Sequence, residues 1–263
     1  MNTSTFHCLI RAFTAVSRCY PPPTMGARRP AQPARKRKKS ASVDSLDPEA
    51  ASVEKAPGRG KYDRTLAPDE RVKEARRRIF GALTLVLATQ GLAQSTVDDV
   101  CKAAGVSRRT FYDHFRDLGS ALSELHDRLS RQSYQAVEGY VRAQAHPNDQ
   151  LRAGVEGLLG LIARFPNESR VMFVIARGAG PELDQKREAL RQRFADLMFE
   201  GVAKSHRAGV AARPPDRIRV YALVAGLEAV GMQYVERGEH ERAMEALDAL
   251  VDLVMRAFGS AGA

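Results

Sequence analysis

Between residues 96 and 116 the chain places Thr96, Ser107, Arg108, Arg109, Thr110, Tyr112, His114 and Arg116, all able to donate hydrogen bonds. Arginine offers five N–H groups in a planar fork, a shape that matches a guanine edge or a pair of phosphate oxygens. The hydroxyls and the imidazole suit phosphate contacts, which position a protein without reading sequence. The chemistry expected here is therefore recognition of a DNA duplex. Arg108, Arg109, Thr110 and Tyr112 are the candidates for the groove, and His114 is a candidate phosphate donor.

Two short helices are needed to present these groups. Thr96 is a good N-cap, and Asp99 three residues later completes a capping-box pattern. Val97, Val100, Cys101 and Ala104 then share one apolar face. Gly105 can take the left-handed conformation that ends a helix, and Ser107 can cap the next one. On that second helix Phe111 and Phe115 lie four residues apart and face the core. The polar residues are left to point outward. The pattern is a helix-turn-helix, in which the first helix braces the second against DNA.

Thr96, Ala104-Gly105-Val106-Ser107 and Tyr112-Asp113-His114-Phe115 closely resemble the DNA-binding signature of the tetracycline-repressor (TetR) family, over about residues 70 to 122. One position departs from the pattern. The family's phosphate-contacting lysine, three residues after the final phenylalanine, is Leu118 here, so that contact is absent or passes to Arg116. The resemblance implies a dimer, an inducer held within the helical body and a palindromic DNA site.

The charge is unevenly placed. Residues 1–68 carry 13 Lys and Arg against 5 Asp and Glu, residues 69–118 carry 9 against 7, and residues 119–263 carry 19 against 19. A neutral body argues against a nonspecific nucleic-acid coat. Residues 1–66 are rich in Pro, Ser, Ala and Arg without a sustained period, and are expected to be a disordered basic tail. The Arg35–Lys39 cluster and Arg59 read either as solvated surface or as an arm for the minor groove. Met25 is an alternative start. Cys8, Cys19 and Cys101 form no paired framework, and no run approaches the ~18 apolar residues that span a bilayer. A cytoplasmic protein without membrane contact is expected.

The fold expected is all-α. Residues 67–118 form a three-helix DNA-binding head, with its first helix from about 68 to 90. Residues 119–263 form a six-helix effector-binding and dimerisation body, with helices near 119–145, 148–165, 167–178, 181–208, 215–237 and 239–258. Pro166, Gly178-Ala179-Gly180-Pro181 and Pro214-Pro215 mark the breaks. Residues 218–235 are apolar almost all round, so that helix must be covered on several sides. Ala222, Ala225 and Ala229, with Leu247, Val251 and Val254 of the last helix, are the candidate dimer contacts. An isologous four-helix interface is the geometry the family resemblance implies, the alternative being that these two helices simply close the monomer core. Phe165, Met172, Phe194, Met198 and Glu228 are the candidate effector-pocket residues, although a Met and Phe stripe also reads as ordinary core. Glu228, a lone acid in an apolar run, is expected to meet an arginine or the cavity rather than its symmetry mate.

Enzyme readings find no P-loop and no dinucleotide fingerprint. His240-Glu241 begins a zinc-protease motif that lacks its second histidine, and the six histidines have no metal-ligand spacing. No catalytic residue, metal or cofactor is expected, and Cys101 reads as a small core residue. The function expected is a ligand-responsive homodimeric transcriptional regulator, a repressor released from operator DNA by an unknown small molecule. The alternatives are a constitutive or architectural DNA-binding dimer, and a helical enzyme or carrier with a vestigial head.

Overall fold

The computed structural model describes residues 67–259. The expected tail over 1–66, with its basic cluster, Arg59, Cys8 and Cys19, lies outside them, as do residues 260–263. Among the described residues every regular element is helical. The head holds α1 (Pro68–Gln90), α2 (Val97–Ala104) and α3 (Arg108–Tyr112). The body holds α4 (Leu118–Arg142), α5 (Pro147–Arg164), α6 (Pro166–Ser169), α7 (Pro181–Arg207), α8 (Arg217–Glu236) and α9 (Leu247–Phe258).

Local chemistry sets most of the boundaries. Proline occupies the first turn of α1, α5, α6 and α7, where its missing N–H has no intrahelical partner to lose. Asp117 caps α4 by accepting from the Ser120 N–H at 2.7 Å, and Asp216 caps α8 by accepting from the Arg219 N–H at 2.8 Å. Two expected helices differ. The stretch expected as a helix over 167–178 is a single α-turn followed by a π-helical segment, Arg170–Ile175. Its wide turn is closed by the Ala176 N–H donating to the Val171 carbonyl at 3.0 Å, and it buries Val171, Met172 and Phe173 consecutively. The last expected helix opens as a 3-10 segment, His240–Ala246. Arg242 pairs there with both Glu239 and Glu245, at 3.5 and 2.9 Å. Both partners are three residues away, the spacing that a 3-10 turn eclipses.

Helix α5 runs through the middle of the body and touches α4, α7, α8 and α9. Its approach to α8 is close. A Cβ on Gly231 would stand 2.3 Å from Ile162 Cδ1, so a larger residue at this crossing would force the end of that side chain to shift. Head and body share one buried cluster that runs from Ile79, Phe111 and Phe115 to Val137, Ile162 and Val171. Helix α1 packs on α6 and the π-helical segment as well as on α2. The boundary expected at residue 118 is therefore a change of element without a gap in the core.

His126 of α4 lies at this junction. It is fully buried, its Nδ1 stands 3.3 Å from Ser130 Oγ, and its Nε2 has no partner among the described residues. Burial pushes its pKa from 6.5 down to about 4, and the neighbouring Lys186 and Arg187 charges push the same way against Asp127. The folded state thus holds His126 neutral while the unfolded chain takes a proton. Stability from this group is complete above pH 6.5 and is lost as pH falls toward 4. Lowering the pH from 7.5 to 5 is expected to cost about 2 kcal/mol through His126 alone. Urea titrations of wild type and His126→Leu check this, and a wild-type loss that His126→Leu does not reduce would contradict it.

Candidate nucleic-acid interface

The turn between α2 and α3 is built by backbone chemistry. The Thr96 hydroxyl accepts from the Asp99 N–H at 3.2 Å, and the Asp99 carboxylate accepts from the Thr96 N–H at 3.0 Å. Gly105 sits at φ +62°. Arg78 of α1 donates to the Gly105 carbonyl at 3.0 Å, and a Cβ at this glycine would meet that guanidinium at 2.6 Å. Ser107 caps α3 by accepting from the Thr110 N–H at 3.0 Å. The α-helical part of α3 ends at Tyr112, but the Phe115 N–H still reaches the Phe111 carbonyl at 2.9 Å. Phe111 and Phe115 are buried, with ring centroids 5.5 Å apart and Phe80 5.4 Å from Phe115. Three phenylalanines thereby set the angle of α3 on the head.

The donors that remain outward differ in freedom. Arg109 is exposed and has no side-chain partner among the described residues. Arg108 is exposed too, but its Nη1 donates to Asp98 at 3.0 Å and its guanidinium lies 6.0 Å from the Tyr112 ring. The hydrogen bond with Tyr112, helped by the Asp98 charge, raises the Arg108 pKa further. Tyr112 is 48% exposed. The Thr110 hydroxyl meets Ser107 Oγ at 2.9 Å, and the Thr96 hydroxyl meets the Asp99 carboxylate at 2.6 Å, so both are already engaged in caps. His114 is half-buried, and burial followed by the Arg76 charge lowers its pKa. It is thus a neutral imidazole at pH 7, an N–H donor without a cation's pull. Arg116 projects into solvent while its Nε donates to Asp117 at 3.0 Å. Leu118 packs on the core, so nothing at that position extends to a phosphate. Arg78 was missed by the sequence reading. Its signal was the Arg76-Arg77-Arg78 run, in which only a tertiary contact picks out the residue that supports the turn.

In the body, an apolar cavity of about 50 Å³ lies among α4, α5, α7 and α8. Val137, Val141, Leu151, Leu158, Phe194, Met198, Val224 and Leu227 are among its lining residues. Of the five candidate pocket residues, Phe194 and Met198 line it. Phe165 and Met172 are buried elsewhere, in the cluster shared with the head. Glu228 is held by Arg191, whose Nε and Nη2 reach its two oxygens at 2.9 and 3.2 Å, and by Arg187 at 3.4 Å. That geometry takes its charge out of the cavity.

The candidate dimer residues also divide. Ala222 and Ala229 are exposed and Ala225 is half-buried, along one stripe of α8. Leu247 is half-buried, whereas Val251 and Val254 are only 9% and 1% exposed. These two valines pack with Val155, Leu159 and Leu227 of their own protomer and have no surface to give a partner. The outward apolar residues of α9 are Ala249 and Leu253, among the exposed Asp248, Asp252 and Arg256. For Val251 and Val254 the structure follows the alternative reading, in which the stripe closes the protomer's own core.

One hydroxyl–amine contact raises the question of catalysis. Lys186 Nζ donates to Ser123 Oγ at 2.5 Å. Burial opposes the ammonium charge, but Asp127 and Glu182, at 2.7 and 3.0 Å, outweigh it and raise the pKa. An amine held charged in this way is no base for a serine. Among the described residues no group of three His, Cys, Asp or Glu is placed to hold a metal, and no helix is long and apolar enough to cross a membrane.

Residues 81–117 match the model of a family described as bacterial regulatory proteins, tetR family. The chain is 28% identical over 150 residues to the HTH-type transcriptional regulator EthR of Mycolicibacterium smegmatis, covering 57% of this chain and 67% of that one. Its fold is that of the fatty acid degradation regulator FadR from Bacillus halodurans, with a TM-score of 0.65, 18% identity, and 71% and 97% of the two chains covered. The transcriptional regulator FadR from Bacillus subtilis, solved in complex with stearoyl-CoA, superposes with a TM-score of 0.62 at 19% identity, covering 69% and 98%.

Proposed function

We propose that the chain is a DNA-binding transcriptional regulator of the tetR family, a reading supported by the match over residues 81–117 and the likeness to EthR, and that it is a homodimeric repressor released from a palindromic operator by a small apolar effector. Helix α4 carries the proposal. It starts directly after the helix-turn-helix, at Leu118, and lines the body cavity two to three dozen ångströms of chain later, through Val137 and Val141. A ligand that moves Val137 moves the helix on which the head rests. Two copies of α3 read half-sites about 34 Å apart, so a shift in their spacing weakens binding, and by reciprocity DNA disfavours the effector.

The cavity is smaller than the ~300–1,000 Å³ usual for ligand pockets. An effector must displace side chains, and Met198, an unbranched thioether in the lining, is suited to re-pack around it. That same narrowness favours a second reading, a constitutive DNA-binding dimer. Selecting an operator from random duplexes and then screening aliphatic compounds for its release separates the two. Release by a compound that a cavity-filling Gly154→Leu variant no longer answers supports effector control. Operator binding that no compound disturbs supports the second reading, and binding without sequence preference defeats the repressor and leaves an architectural DNA-binding dimer.

For base readout we assign Arg109 the leading part, because its donors are unengaged, and Arg108 a part that requires leaving Asp98. A bidentate arginine–guanine contact carries about 1–3 kcal/mol of discrimination. Arg109→Ala is expected to flatten the preference at one position, and His114→Ala to weaken all sequences alike. A selection experiment checks this. Specificity unchanged in both Arg108→Ala and Arg109→Ala would remove α3 from the readout.

A further inference from the structure

Between α1 and α4 lies a groove of about 320 Å³, lined by Arg76, Phe80, Glu124, Asp127, Arg128 and Arg131. Its two carboxylates are already taken: Glu124 pairs with Arg76, and Asp127 with Lys186 at 2.7 Å. Arg128 and Arg131, three residues apart on one face of α4, have no carboxylate within pairing distance among the described residues. Arg128 lies with its guanidinium 5.6 Å from the Phe80 ring, on which Arg76 also stacks at 5.5 Å. The Arg128 Nε is buried and makes no hydrogen bond. Burial first, then the charges of Arg131, Arg76 and Arg77, lower the Arg128 pKa, as expected where cations crowd without an anion.

A solvated surface arginine has water on every N–H, whereas here an unmet donor and a second unpaired guanidinium share a concave wall. Guanidinium forks in such a wall match phosphate oxygens in geometry and charge. We propose that this groove is a binding site for a phosphate-bearing small molecule, held by Arg128 and Arg131. Its volume exceeds that of a single phosphate group, so a diphosphate or a phosphate ester is the class it takes. Arg76 belongs to the head and the other two arginines to the body. A bound anion therefore sits on α4 beside the Arg76–Glu124 pair that joins α1 to α4, and by competing for Arg76 it couples to DNA affinity, whatever occupies the apolar cavity.

The test is calorimetric titration of the full chain with sodium pyrophosphate at constant ionic strength set by chloride. Wild type is expected to bind one pyrophosphate per protomer. Arg131→Gln, an exposed change that leaves the core alone, and Arg128→Gln are each expected to weaken binding at least tenfold, while Arg207→Gln on α7 is expected to bind as wild type does. If Arg128→Gln unfolds, Arg131→Gln carries the comparison by itself. Absence of binding to wild type, or equal binding by Arg131→Gln, overturns the proposal. A DNA arm separates the two sources of phosphate. If Arg131→Gln lowers the salt slope of DNA binding by about 0.9 with no pyrophosphate present, the arginine serves a backbone phosphate of DNA and the small-molecule site falls. An unchanged slope together with weakened pyrophosphate binding supports it.

Discussion

Replacing Glu228 with alanine is expected to lower the free energy of unfolding by about 3–5 kcal/mol. Its side chain is only 9% exposed, and the partners Arg191 and Arg187 are 18% and 10% exposed. Arg191 clamps both carboxylate oxygens and is held in turn by Glu188 at 2.7 Å and by the Tyr221 hydroxyl at 3.2 Å. The hydrogen bond to Glu228 is the main reason its pKa is raised. Arg187 is worse placed, since burial lowers its pKa and its Nε already has no hydrogen bond. Without Glu228, two guanidiniums stay in a poorly solvated site with one carboxylate fewer, and the cost is that of buried charge left unpaired. The double variant Glu228→Ala/Arg187→Leu is expected to recover part of the loss, because it removes one stranded cation along with the anion. Urea denaturation at a fixed protein concentration measures both. A Glu228→Ala loss below about 1 kcal/mol would mean that water reaches the arginines and that the pair is a surface one.

Ala229→Glu is expected to split the proposed dimer and to lower operator affinity about 10²–10⁴-fold, the range by which linked binding exceeds single binding. The outward stripe of α8 holds Ile218, which is 82% exposed, then Ala222, Ala225 and Ala229 at helical spacing. Leu253 of α9, 52% exposed, stands outward as well. Apolar residues this exposed on two neighbouring helices are the surface that a second copy would cover. The small side chains let helices approach closely, and a glutamate there meets a packed backbone without a partner. Leu253→Glu is the second variant, because it loads α9 without changing α8. Sedimentation velocity decides. If both variants sediment as wild-type dimers, the two protomers meet elsewhere, and if wild type is itself a monomer the four-helix proposal fails at once.

These two expectations draw differently on the sequence. That Glu228 needs a partner followed from its apolar neighbours alone. That the partner is Arg191, 37 residues away on α7, did not, because α7 carries several arginines and only its rotation about its own axis selects one. The same holds for α9. Its apolar stripe was legible, but a stripe does not say whether its own protomer or a second one covers it. Val251 and Val254 went inward and Leu253 outward.

What the amino-acid sequence determined by itself lies within about four residues of chain. The Thr96–Asp99 capping box, the left-handed Gly105, the Ser107 cap and the prolines opening α1, α5, α6 and α7 each join a side chain or ring to its nearest backbone, so no distant element is needed to place them. The placing of Phe111 and Phe115 inward and of Arg108 and Arg109 outward follows from the same short range, through helical period. The tertiary structure decided the rest. It wound Arg170–Ile175 into a π-helix, where α1 and α8 press on the segment from outside the chain's local neighbourhood. It chose Arg78 from a run of three arginines to support the turn, and it left Arg128 and Arg131 unpaired beside two carboxylates already engaged. Contacts of that kind depend on how helices cross and rotate against one another, and a period of 3.6 residues fixes neither.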